Sequence, residues 1–145
     1  MKKQLNNIKE IEKCIAECSL NLILNPDDVQ TLLLRGILLD MAKKFDGAID
    51  DFTEFICKRP VSKKGYYLRA YSFFNKKEFD LAYNDFNKAE GIKFNLIGSV
   101  QVNILPQLLG YISIQRAKII SEMEWEYTKT KLEGKYNIRG HFSLS

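Results

Sequence analysis

Residues 29–60 read VQTLLLRGILLDMAKKFDGAIDDFTEFICKRP, and the same residue types return 34 positions later in the chain. The pairs at this spacing are Arg35 with Arg69, Gly36 with Ala70, Phe45 with Phe79, Asp46 with Asp80, Ala48 with Ala82 and Phe52 with Phe86, and Pro26 precedes Pro60 by the same step. Recurrence of charged, small and aromatic residues at one spacing is typical of a tandem repeat. A period of this length accommodates two helices.

At these positions the chain resembles the tetratricopeptide repeat (TPR) family, whose unit is a helix-turn-helix. The family's small and aromatic positions are Gly36, Phe45, Ala48, Phe52 and the closing Pro60 in one unit, and Ala70, Phe79, Ala82, Phe86 and Ala89 in the next. The chain departs from the pattern with Phe94 in place of a second closing proline, Phe55 in place of Ala, and Arg35 and Arg69 in place of Leu. The resemblance implies an all-α, right-handed array of helix pairs.

Two units of this kind need further helices at both ends, because a lone helix pair leaves an apolar face uncovered. Before the repeats, helical spacing of apolar residues predicts an N-terminal helix or half repeat within residues 1–26. That apolar stripe consists of Leu5, Ile8, Ile11, Ile15 and Leu22. Asp27 and Asp28 follow, and carboxylates there suit the first turn of the next helix.

The 34-residue register ends after residue 94, so we divide one domain into 1–26, the two units 27–60 and 61–94, and a C-terminal region 95–145. Within that region, apolar spacing predicts a capping helix from near Pro106 to Gly134, about 40 Å long. Its apolar residues are Leu108, Leu109, Ile112, Ile119, Ile120 and Met123. Apolar residues alternate at 100–104 and 136–144, which indicates strands. A helix at 96–105 and a frayed tail are the alternatives.

Composition limits the possible classes of protein. A chain of 145 residues with 46% hydrophobic and 28% charged residues suits one folded domain, and only 3 Pro and 8 Gly favour helices over a barrel. Three cysteines, an odd number, and a polar start indicate a reduced, cytoplasmic protein. Residues 94–115 carry no charge, but their several amide side chains and Pro106 argue against a membrane span.

Catalytic and metal-binding patterns are absent from the sequence. The only histidine is His141, and Asp50 and Asp51 point about 100° apart on a helix, which predicts a solvated face for both and no acid/base pair. Cys14 and Cys18 share the packing side of the first helix, so we expect small buried residues there and no zinc site. We therefore expect no enzyme, no catalytic residues, no metal and no cofactor.

Lysine pairs occur in the turns between helices of both units, at 43–44 and 76–77, and Lys43 and Lys77 share the repeat spacing. Acidic residues at Asp46, Glu78 and Asp80 interrupt these turns, and no aromatic residues alternate with the lysines. Nucleic acids are usually bound by continuous basic surfaces interleaved with stacking residues. With a net charge of only +4, ordinary solvated turns are the favoured interpretation, and a basic rim that binds nucleic acid or a membrane surface is the less favoured alternative.

The remaining face of each unit's first helix forms the candidate binding site. It comprises Leu33, Ile37, Asp40 and Met41 in one unit, and Tyr67, Tyr71, Phe74 and Asn75 in the next. We call these eight residues the groove face, because the resemblance implies that they line a concave surface that binds peptides and helices. Apolar and aromatic residues are common anchors of protein interfaces.

We therefore expect a non-catalytic interaction module, an adaptor or a small dedicated chaperone, that binds an apolar helix or extended peptide of another protein. The groove face lacks the Lys and Asn pattern with which some family members hold a C-terminal carboxylate. Two alternatives stay open. The chain's own C-terminal segment could fill the groove, or the apolar surface could serve self-association, for example as a homodimer.

Overall fold

The computed structural model describes residues 2–91 and 105–132, with side chains for residues 7–91 and 105–123. These residues form six α-helices and no strand: α1 (Lys2–Leu24), α2 (Val29–Met41), α3 (Phe45–Lys58), α4 (Lys63–Asn75), α5 (Phe79–Glu90) and α6 (Leu105–Leu132). Each helix from α1 to α5 packs against the next one along the chain. The long α6 packs mainly against α4, with a smaller contact to α5.

The helix boundaries follow from local chemistry. Asp28 caps α2 because its side chain accepts a hydrogen bond from the backbone N–H of Thr31 at 3.1 Å, and the Thr31 hydroxyl donates to the same carboxylate at 2.8 Å. A carboxylate in this position satisfies free amide groups of the first turn. The prediction that acidic residues open this helix is confirmed.

The turns after α2 and α4 have the same backbone geometry. In the first turn, the N–H groups of Lys43 and Lys44 bond to the carbonyls of Asp40 and Leu39; in the second, 34 residues later, the same pattern recurs. Lys43 and Lys77 both adopt the left-handed conformation, with φ of 60° and 62°. This is the Schellman arrangement that ends many helices, although a glycine usually occupies the left-handed position.

The core lies between the helices and is continuous through the whole array. Small residues let α2 approach α3, since Gly36 faces the fully buried ring of Phe52 and Ala48 is also buried. One large hydrophobic cluster includes residues of all six helices, and a smaller cluster joins Ala70 to Leu108 and Ile112 of α6. The second cluster attaches the C-terminal helix to the second helix pair.

A helix lies on each side of the two repeat units. The N-terminal helix is confirmed, and its packed stripe includes Ile11, Ile15 and Leu22, whereas Ile8 is 45% exposed. The long C-terminal helix is confirmed as Leu105–Leu132. The expected strands at 100–104 and 136–144 lie outside the described residues. The same holds for the frayed tail and for residues 96–104 of the alternative helix at 96–105. Among the helices that are described, none is long and apolar enough to cross a membrane.

Candidate functional site

The groove face is mostly covered in the structure. Leu33, Ile37, Asp40 and Tyr67 are buried, Met41, Tyr71 and Phe74 are half-buried, and Asn75 is exposed. Asn75 donates a hydrogen bond to the backbone carbonyl of Tyr71 and takes no part in the hydrophobic clusters. Seven of the eight residues therefore lie together in a largely buried surface.

The helix that covers this surface is α6. Its buried residues recur with helical spacing at Leu108, Ile112, Ile119 and Ile120. Ile119 and Ile120 join the hydrophobic cluster that contains Leu33 and Ile37, while Leu108 and Ile112 join the cluster that contains Tyr71 and Phe74. The chain's own C-terminal helix thus occupies the groove face, which is one of the two arrangements that the sequence left open.

A buried ion pair fixes α6 on this surface. The Nε and Nη2 atoms of Arg116 donate to the Oδ2 atom of Asp40 at 3.0 and 2.9 Å. The Asp40 side chain is only 2% exposed and also accepts a long hydrogen bond, 3.4 Å, from the hydroxyl of Ser72. The guanidinium of Arg116 lies over the ring of Tyr71, 4.3 Å from the ring centroid. The arginine head group is therefore held by the carboxylate of Asp40 and the ring of Tyr71, and Ser72 contacts the other oxygen of that carboxylate.

Arg116 is the functional residue that the sequence-based interpretation missed. The sequence contains a pattern that could have identified it: Arg116 lies within the apolar stripe of α6, eight residues after Leu108 and four after Ile112. Asp40 is likewise the only charged member of the otherwise apolar or neutral groove face. A single acid on one apolar face and a single base on another indicate a pair, because a buried charge is usually matched.

Burial raises the pKa of Asp40, while the charge of Arg116 and its hydrogen bonds oppose the rise. A carboxyl group whose pKa is higher in the folded chain stabilises the fold at low pH. That stabilisation is present below the ordinary pKa and is lost as the pH rises through the raised value. Asp40 therefore makes folding less favourable at neutral pH, and Arg116 limits this cost.

This arrangement predicts a pH-dependent effect of Arg116→Ala. The substitution removes the groups that lower the pKa of Asp40, so this pKa should rise further. We expect the loss of stability relative to wild type to be about 1 kcal/mol smaller at pH 5 than at pH 7, since one pKa unit corresponds to about 1.4 kcal/mol. Urea unfolding at both pH values measures it. In an Asp40→Asn background the same substitution should show no such difference; a difference of equal size there would contradict the assignment.

An aromatic network continues the groove face towards α5. The ring of Phe86 makes edge contacts with Tyr67, centroids 6.5 Å apart, and with Tyr111 of α6, centroids 5.8 Å apart. The Tyr67 hydroxyl donates to Glu90 at 2.6 Å. Burial, followed by this hydrogen bond, raises the pKa of Tyr67, so the hydroxyl stays protonated and acts as a donor. Buried tyrosines are normally satisfied in this way.

A second type of ion pair recurs with the repeat. Arg35 on α2 pairs with Asp51 on α3, and Arg69 on α4 pairs with Asp85 on α5, each through two hydrogen bonds of 2.6–2.8 Å. The prediction of a solvated face for Asp50 and Asp51 is therefore wrong for Asp51, which is 4% exposed, while Asp50 is exposed. The reason is that its charge is matched by an arginine from the neighbouring helix.

Two of the cysteines are buried, and ion pairs hold the second basic turn. Cys14 and Cys18 are buried, as predicted, and burial raises the pKa of the Cys18 thiol to about 12, so this thiol stays protonated. Directly after α4, Lys76 forms ion pairs with Asp46 at the start of α3 and with Glu78. Within the described residues no group of three or more His, Cys, Asp or Glu side chains could hold a metal ion.

Among the described residues, the groove face is therefore the candidate functional site. There α6 is held by apolar contacts and by the buried ion pair of Arg116 with Asp40. Comparison of the chain with family models, with curated proteins and with solved structures finds no match.

Proposed function

We propose that this chain is a non-catalytic, TPR-like protein-binding module, acting as an adaptor or a small dedicated chaperone, whose groove face binds a segment of another protein. The observation that carries the proposal is that a helix, α6, lies along the groove face and buries Leu108, Ile112, Ile119 and Ile120 there. A surface that accommodates one amphipathic helix has the shape and apolar character to accommodate another. Of the two ligand conformations considered, this favours a helix over an extended peptide.

The partner must compete with α6 for the same surface. When a binding-competent state is populated only a fraction of the time, the apparent dissociation constant is weakened by that fraction. Substitutions on α6 that weaken its docking, and leave the groove face intact, should therefore strengthen binding of the partner. Substitutions in the groove face itself would weaken the binding of both α6 and the partner, so they would not separate the two.

Ile112→Ala is the variant that tests the proposal. Ile112 is fully buried against the groove face, and replacing such a residue by alanine costs about 2–5 kcal/mol of local packing. We expect the variant to retain at least about tenfold more partner protein than wild type in affinity capture at equal chain concentration. An excess of a peptide of residues 105–123 should remove the retained protein.

Ile114→Ala is the matched control, since Ile114 lies on the same helix but is 55% exposed. It should capture no more protein than wild type. Circular dichroism checks that both variants remain helical. If Ile112→Ala captures no more than Ile114→Ala, the groove face is not a binding site for other proteins and the proposal is wrong.

Self-association is the second candidate function, and one observation favours it. The end of α1 presents three large apolar side chains to solvent, Leu20, Ile23 and Leu24, with exposures of 58%, 75% and 77%. Apolar groups clustered on a surface are common at interfaces between subunits. Light scattering over a concentration series separates the two functions, because a constant mass of 16.8 kDa would exclude self-association.

A further inference from the structure

We infer that the groove selects its partner through an arginine, and that Asp40 and Tyr71 form the arginine-binding site, with the hydroxyl of Ser72 hydrogen-bonded to Asp40. In the structure, Arg116 of α6 fills this site from within the chain. The inference rests on the proposed function and adds the chemistry of the ligand: an amphipathic helix of another protein that carries one arginine on its apolar face.

The demand for a cation comes from Asp40. Its carboxylate is almost fully buried, and in the described part of the chain Arg116 is the only cation that forms an ion pair with it. A buried carboxylate without a positive partner strongly opposes binding or folding. A partner helix that displaced α6 without supplying a cation would leave this charge unmatched, so apolar helices that lack a basic residue are rejected.

The geometry favours arginine over lysine. Two nitrogen atoms of the guanidinium, Nε and Nη2, donate to one carboxylate oxygen, and the guanidinium lies over the ring of Tyr71 with 4.3 Å to the centroid. A lysine ammonium could supply the charge, but it has no planar group to stack on the tyrosine and no second nitrogen at that spacing. Lysine should therefore be accepted less well than arginine.

The register of α6 defines the rest of the ligand. Relative to the arginine, aliphatic residues lie eight and four positions before it, at Leu108 and Ile112, and three and four positions after it, at Ile119 and Ile120. At the edge of the contact, Glu122 pairs with Lys64 of α4 at 3.5 Å. The preferred partner is thus a helix with aliphatic residues at −8, −4, +3 and +4, and an acidic residue near +6.

Binding of three labelled peptides to the full-length Ile112→Ala chain tests the inference. The peptides are residues 105–123, the same peptide with Arg116→Ala, and the same peptide with Arg116→Lys. We expect the alanine peptide to bind at least about tenfold more weakly than the parent, and the lysine peptide to fall between them. With Asp40→Asn added to the chain, the alanine and parent peptides should bind within about threefold of each other, since the buried charge is gone.

The outcomes separate this inference from the proposed function. Equal binding of the three peptides to the Ile112→Ala chain would overturn the arginine site and leave the groove as a general apolar surface. Binding of none of the peptides would overturn both proposals. If light scattering gives twice 16.8 kDa for wild type, and Arg116→Ala abolishes this dimer, then α6 of a second copy is the ligand and the inference of an outside partner is wrong.

Discussion

Arg69→Ala is expected to lower the free energy of unfolding by about 3 kcal/mol, because it leaves a buried carboxylate without its cation. The Nε and Nη2 atoms of Arg69 donate to the two oxygens of Asp85, each at 2.7 Å, and Nη1 donates to the hydroxyl of Thr53 at 3.1 Å. The Asp85 side chain is 4% exposed. Burial raises its pKa even with the arginine in place, because a buried site disfavours the charged form.

Three further variants separate the ion pair from other effects in urea unfolding followed by circular dichroism. Arg69→Lys should recover only part of the stability, because lysine cannot form both hydrogen bonds. Replacing both partners, as Arg69→Met with Asp85→Leu, should return the chain to within about 1 kcal/mol of wild type. Lys58→Ala breaks a pair with Asp27, whose side chain is 91% exposed, and should cost less than about 1 kcal/mol. A loss for Arg69→Ala no larger than for Lys58→Ala would contradict the prediction.

The same arrangement occurs 34 residues earlier, where Arg35 binds Asp51 and donates to the hydroxyl of Ser19 at 3.3 Å. Each arginine therefore joins three consecutive helices: its own helix, the next helix through the aspartate, and the previous helix through a hydroxyl. The pairs occupy equivalent positions, so the repeat in the sequence is also a repeat of contacts. The arginines that stand where the tetratricopeptide pattern has leucine are the residues that make these contacts.

The 34-residue period predicts these ion pairs, whereas each charged residue taken singly does not. Arg35 and Arg69 share the 34-residue spacing, and so do Asp51 and Asp85. Considered together, two oppositely charged positions that recur with the repeat predict a pair between neighbouring helices. Considered alone, Asp51 beside Asp50 is typical of a solvated helix face, because isolated carboxylates seldom occur in a protein interior. The ion pairs can therefore be predicted from the 34-residue period but not from the residues next to Asp51.

The helices themselves were largely predictable, since apolar spacing and capping residues are local properties. The groove face was predictable too, because it remains after the packing positions of each repeat are assigned. Apolar spacing alone did not identify its occupant, because α6 docks through a contact between Asp40 and Arg116, 76 positions apart in the chain. An apolar face indicates only that something covers it. Whether a partner or the chain itself does so depends on competing free energies that periodicity does not report.

Gly36→Val is expected to lower the free energy of unfolding by about 3 kcal/mol, through overpacking of the contact between α2 and α3. A Cβ atom at Gly36 would lie 2.5 Å from Cε1 and 2.9 Å from Cδ1 of Phe52. This ring is fully buried, so moving it would disturb the core around it. A glycine inside a helix costs about 1 kcal/mol relative to alanine, and close approach of the two helices is the physical reason for accepting this cost here.

Gly110→Val provides the matched control for this prediction, because Gly110 is also within a helix but has no atom within 4 Å of its potential Cβ. Its stability should stay within about 0.5 kcal/mol of wild type, since valine and glycine differ little in helix propensity. Adding Phe52→Leu to Gly36→Val should cost at least about 1 kcal/mol less than the sum of the single effects, because the smaller side chain makes room for the valine. Urea unfolding of the four variants gives this coupling directly. Strictly additive losses would place the cause in the backbone of α2 and would contradict a clash with the Phe52 ring. A Gly36→Val chain as stable as Gly110→Val would contradict the close packing of α2 against α3.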